Sequence, residues 1–110
     1  MADTLKVLGQ VAPADTNNAD LYTVPENTQT TVSSLVACNL TGNTPNIRVA
    51  VRPLGATVAN EHYIYYGKAI AANDSVFIII GITLQDGDVV TVRSSAADEV
   101  AFTLFGVETS

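Results

Sequence analysis

The sequence predicts an all-β fold, an antiparallel β-sandwich of about eight strands. Three observations carry this. Apolar and polar residues alternate with period two in several short segments, turn-forming residues separate those segments at regular intervals, and helical periodicity is nearly absent. Eight strands in two sheets is also the count of a jelly roll, although a count alone leaves the connectivity open.

Taken in order, Leu5 to Val11 is the first apolar segment, and Pro13-Ala14-Asp15-Thr16-Asn17-Asn18 is a loop of turn formers. Leu21-Tyr22-Thr23-Val24 is a short strand stopped by Pro25. Thr30 to Leu40 alternates, with Val32, Ser34, Val36, Cys38 and Leu40 on one face. After the turn at Thr41 to Asn46, Ile47, Val49 and Val51 point one way and Arg48, Ala50 and Arg52 the other. Val58 to Glu61 suits a single helical turn. His62 to Tyr66 is an aromatic strand, with Tyr63 and Tyr65 on one face and His62, Ile64 and Tyr66 on the other. Val76 to Thr83 is a strand, and Gln85-Asp86-Gly87-Asp88 carries a hairpin signal. Val89 to Arg93 and Val100 to Val107 complete the set.

At 110 residues the expectation is one domain spanning 1–110, with residues 1–12 either its first strand or an arm that contacts a partner. Charged residues make up 15% of the chain, against about 25% in ordinary soluble domains. A surface this poor in charge suits a subunit partly covered by neighbours. The net charge of −6 opposes binding to a phosphate backbone or to anionic lipid. Lys6, Arg48, Arg52, Lys68 and Arg93 are scattered, and no basic patch can be read from them. The single cysteine, Cys38, excludes an internal disulfide, and the N-terminal residues lack the pattern of a secretion signal. Synthesis in a cytoplasm is the expectation.

Catalytic chemistry is hard to assemble from this chain. His62 is the only histidine, and Cys38 follows the core alternation as a small buried hydrophobe. Asp86-Gly87-Asp88 offers too few carboxylates for a calcium loop and is explained by a turn. Asn39-Leu40-Thr41 and Asn73-Asp74-Ser75 match the glycosylation sequon by chance, and the second suits an Asx turn. There is no phosphate loop and no nucleophile elbow. The expectation is a non-enzymatic protein with no catalytic, cofactor or metal site.

The stretch Ser75 to Ile82 lacks a polar face. Val76, Ile78, Ile80 and Ile82 occupy one side, Phe77 and Ile79 the other. Burying one large apolar side chain is worth ~1.5–3 kcal/mol, so a second apolar face calls for cover. Phe105 repeats the pattern in the last strand. Phe77, Ile79 and Phe105 are therefore the candidate contacts of a homo-oligomer, a dimer or trimer. Candidate partner contacts are Leu5, Val7 and Leu8 near the start, Arg48 and Arg52 on their polar face, and Tyr63 and Tyr65, which with Asn60 and Glu61 also suit a sugar platform.

Five phrases resemble small virion proteins of tailed bacteriophages, including phages of cyanobacteria and other aquatic bacteria. They are Lys6-Val7-Leu8-Gly9-Gln10, Asp20-Leu21-Tyr22-Thr23-Val24-Pro25, Arg48-Val49-Ala50-Val51-Arg52-Pro53, Ala59-Asn60-Glu61-His62-Tyr63-Ile64-Tyr65-Tyr66 and Ile70-Ala71-Ala72-Asn73-Asp74. The resemblance runs through most of the chain and includes no catalytic motif. It implies a structural role in a virion: first, a capsid cement or decoration protein that binds the capsid lattice as a small oligomer, with the major capsid protein or other virion proteins as partners. A tail, neck or fibre component is the alternative, and a carbohydrate-binding host-recognition module a third. The resemblance implies synthesis in a bacterial host and residence in the particle.

Overall fold

The computed structural model describes residues 2–79 and 81–110. Among them are nine strands: β1 (Asp3–Val11), β2 (Ala19–Thr23), β3 (Gln29–Asn39), β4 (Asn46–Arg52), β5 (Tyr63–Ala69), β6 (Ser75–Ile78), β7 (Ile82–Leu84), β8 (Val89–Ser94) and β9 (Val100–Thr109). Every segment read as a strand from its alternation contains one. The exception in detail is Val76 to Thr83, which is two strands rather than one. Both β6 and β7 pair with β3, at Leu35–Cys38 and Thr30–Val32 respectively. Ile80, expected beside Ile78 and Ile82, lies outside the described residues.

All pairings are antiparallel and fall into two sheets. One has the order β1-β9-β3-β6, with β7 also on β3; the other has the order β2-β8-β4-β5. Counting β6 and β7 as one interrupted strand makes the scheme plain. The first strand pairs with the last, the second with the next to last, and so on inward to β4 with β5. This is one long antiparallel ribbon folded over on itself, the wrapping of a jelly roll. The strand count is therefore that of the sandwich the sequence predicts, and the register supplies the connectivity.

The core lies between the sheets. Leu35, Ala37, Phe102 and Leu104 from the first sheet meet Ile47, Val49, Val90 and Val92 from the second, and all are buried. In β4 the predicted alternation holds, with Ile47 and Val49 inward. In β3 it does not hold throughout. A β-bulge between Val32 and Ser34 adds a residue against β9, so the inward set changes from Thr30 and Val32 to Leu35, Ala37 and Asn39. An extra residue exchanges the faces of everything beyond it. Cys38 consequently leaves the core and sits half-buried on the outer face with Val36, correcting the core reading.

β5 carries two such irregularities. Ala50 faces Tyr63, Val49 faces Tyr65, Arg48 faces Tyr66 and Ile47 faces Lys68, so Ile64 and Gly67 are the extra residues. Tyr63 therefore shares a face with Tyr66, not with Tyr65, whose ring packs against the core. His62 lies before β5, in the short 3-10 turn Asn60–His62, where its Nδ1 accepts a bond of 3.0 Å from the Ala59 amide. The helical turn thus falls two residues later than Val58, and His62 closes it instead of joining the strand.

The Asp-Gly turn and the Asn39 side chain hold the two ends of the sandwich. The turn Gln85 to Asp88 has Gly87 at φ 84° and a 3.2 Å bond from the Asp88 amide to the Gln85 carbonyl. It crosses from β7 in one sheet to β8 in the other, so it is a corner and not a hairpin. The buried Asp88 carboxylate accepts from the Leu54 amide at 2.9 Å and the Gln85 amide at 3.0 Å. Asn39 closes the other end. Its amide nitrogen shares its hydrogens among the carbonyls of Asn43, Ile70 and Ala71, and its oxygen accepts from the amide and hydroxyl of Thr41. The asparagine of the first sequon is thus buried and fully engaged in structure, while Leu40 beside it is exposed.

Candidate functional site

The two sheets present outer faces of opposite character. On the first sheet, residues in register form rows across the strands. One row is Leu5–Val107–Thr31–Thr83, the next Val7–Phe105–Ser34, the next Gln10–Thr103–Val36–Phe77, and the last Ala101–Cys38–Ser75. None of these residues carries a formal charge; the row at the end of the face, Asp3–Thr109–Gln29, carries one, on Asp3. Their physical cause is the pattern already noted in β6 and β9, apolar on both sides, joined now by β1 and the bulge-shifted half of β3.

The predicted oligomer contacts fall here. Phe77 is 71% exposed, Ile79 just beyond β6 is 86% exposed, and Phe105 is exposed in the middle of the face. Leu5 and Val7 lie on the same face and are exposed. Leu8 does not join them. Next to the outward Val7, strand alternation turns it inward, where it is part of the core, which removes it from the partner-contact set. β1 pairs with β9 along its length, and the Ala2 and Ser110 amides and carbonyls bond each other at 2.9 and 3.1 Å. Asp3–Val11 is thus a first strand of this sheet, the alternative to a free arm.

The outer face of the second sheet is charged and aromatic. Its rows are Arg93–Arg48–Tyr66 and Asp20–Thr91–Ala50–Tyr63, with Val89 and Arg52 beyond. The Arg48 guanidinium lies over the Tyr66 ring at 4.0 Å, a cation–π contact. The Tyr63 and Tyr66 rings meet edge to face, with centroids 4.9 Å apart. Arg52 does not wait for an acidic partner elsewhere: it reaches Asp20 at 3.5 Å, and the same carboxylate oxygen accepts from the Thr91 hydroxyl. The cations look scattered along the chain, yet the register brings Arg48 and Arg93 directly opposite each other. Sequence reading missed this because strand register is a tertiary property, and Arg48 and Arg93 sit on strands far apart in the chain.

A polar cluster lies at the rim of the core. The Tyr22 hydroxyl donates to Glu108 at 2.6 Å and lies 2.8 Å from the Thr30 hydroxyl, while Lys6 reaches the other Glu108 oxygen at 3.2 Å. Burial and then the bond to Glu108 push the Tyr22 phenol up to about 12. The same bond, ahead of the contact with Lys6, holds Glu108 below its usual range. The raised phenol stabilises the fold fully below about pH 10, the unfolded value, and this contribution is lost as pH rises through about 12. The lowered carboxyl stabilises above the unfolded value of about 4.3 and is lost on acidification. A spectrophotometric titration should therefore show a tyrosine transition near pH 12 that Tyr22→Phe abolishes. A Tyr22→Phe trace identical to that of the wild type would refute the assignment.

Comparison with models of known protein families gave no match, and comparison with curated proteins gave none either.

Proposed function

We propose that this chain is a non-enzymatic structural protein of a bacteriophage virion, a capsid cement or decoration protein that acts as a small homo-oligomer. The observation that supports this best is the outer face of the first sheet, where Leu5, Val7, Phe77 and Phe105 stand in rows that hold no formal charge. Exposed contiguous apolar area of this kind is rare on monomers and marks association surfaces. The phrase-level resemblance to phage virion proteins supplies the setting, and the low charge of the chain agrees with it. In this reading the first sheet meets sister subunits or the capsid lattice, and the second sheet faces outward.

Quantitative composition of intact particles tests the proposal. A copy number comparable with that of the major capsid protein is the expected result. A copy number matching only the tail or its fibres would overturn the decoration role in favour of the tail reading. The carbohydrate reading has a narrower base. Asn60, Tyr63 and Tyr66 line a shallow recess, but Arg48 already covers one ring and Tyr65 turns inward.

A further inference from the structure

We infer that Arg48 and Arg93 form a binding site for a single small oxyanion on the outer face of the second sheet. Like charges placed directly opposite on neighbouring strands destabilise a sheet. Arg48 on β4 and Arg93 on β8 are such a pair. The chain has 11 acidic residues against 5 cations, so carboxylates are plentiful. Even so, the ion pairs among the described residues are Lys6–Glu108 and Arg52–Asp20, and neither involves this pair. The nearest acidic row is occupied, since Asp20 serves Arg52 and Thr91.

Both guanidinium groups are held in place rather than left to swing. Arg48 lies against Tyr66 at 4.0 Å. Arg93 donates its Nε hydrogen to the Thr16 carbonyl at 2.6 Å, which fixes the plane and leaves its terminal Nη groups free to donate elsewhere. Together with Asn46 and Ser95 they line a notch of about 60 Å³. That is roughly the volume of two water molecules, which suits a carboxylate or a tetrahedral oxyanion. Ser95 Oγ accepts from the Asn46 amide at 2.9 Å, so its own hydrogen is available to a ligand. The Asn46 side-chain amide adds further donors. The notch is therefore rich in donors, and two of its four lining residues carry planar guanidinium forks, the group suited to bidentate recognition of an oxyanion.

This site is independent of the virion reading, because it concerns the opposite sheet and needs no particle. Its test is a titration of the full chain, with acetate, inorganic phosphate and sulfate as separate probes, read by backbone-amide and arginine Nε resonances. Saturable shifts are expected at Asn46, Arg48, Arg93 and Ser95, with a dissociation constant on the order of 1–10 mM for at least one probe. Arg93→Gln and Arg48→Gln should each weaken binding about tenfold or more. Arg52→Gln should change it less than about twofold, since that guanidinium faces Asp20. Saturation by acetate alone identifies a carboxylate ligand, and saturation by phosphate and sulfate a tetrahedral one. Shifts that stay linear with all three probes, or that persist in both Arg48→Gln and Arg93→Gln, would overturn the site.

Discussion

Replacing Gly106 by alanine is expected to destabilise the fold by about 3 kcal/mol, the upper end of the usual cost of overpacking. A Cβ at this position would lie 2.3 Å from the Thr31 carbonyl oxygen, 2.9 Å from Leu8 Cδ1 and 3.1 Å from the Val32 Cα. The first and third obstacles are backbone, so no rotamer change clears them. Gly106 faces Val32 at the edge of the β3 bulge and Lys6 on β1, in the middle of the sheet. Relief would require β3 and β9 to separate where they pair. For a domain of this size the loss corresponds to a fall in Tm of more than about 10 °C, measurable by circular dichroism. A Tm within about 2 °C of the wild type would show that the bulge absorbs the added carbon. Gly9 meets the same limit, with a Cβ 2.1 Å from the Leu21 carbonyl oxygen.

Phe77→Asp should act in the opposite way, sparing the subunit and disrupting its assembly. The ring is 71% exposed within one chain, so substitution should change subunit stability by no more than about 0.5 kcal/mol. In an oligomer or on a lattice the same ring would be buried, and its loss forgoes ~1.5–3 kcal/mol per contact. That is roughly 10- to 150-fold in affinity, before the cost of burying the new carboxylate. Sedimentation at matched concentrations measures it, with Phe105→Asp as a second probe on the same face. The expected result is an assembling wild type and monomeric variants, of which Phe77→Asp melts like the wild type. Identical sedimentation of all three would remove this face from the assembly.

Much of the fold was legible because its signals are local. Alternation in Ile47 to Val51 and the turn formers at Thr41 to Asn46 act through neighbours in the chain, and the strand and turn stand where they point. Bulges are not local in this sense. The extra residue near Ser33 is defined only against β9, and those at Ile64 and Gly67 only against β4. Each one reverses faces downstream, which is why Cys38 and Tyr65 stand on the sides opposite to their simple alternation. Phe77, Ile79 and Phe105 were legible as surface candidates because too many apolar residues occur for one face. The Arg48–Arg93 pair was not, since nothing in either segment encodes the register of β4 on β8.

The nested pairing of the strands also sets an order of events for the folding chain. β4 and β5 are close in sequence and can meet early, whereas β1 must find β9, placing Asp3 opposite Thr109. Closing a longer loop costs more entropy before its contacts repay it. Pairing is therefore expected to propagate from the inner ribbon outward, so that the sheet that bears the apolar face is completed last. During that interval the inner strands of that sheet, β3 with β6 and β7, lie open along the edge that β9 will cover. Newly made chains are consequently most exposed to mispairing with one another before β9 docks.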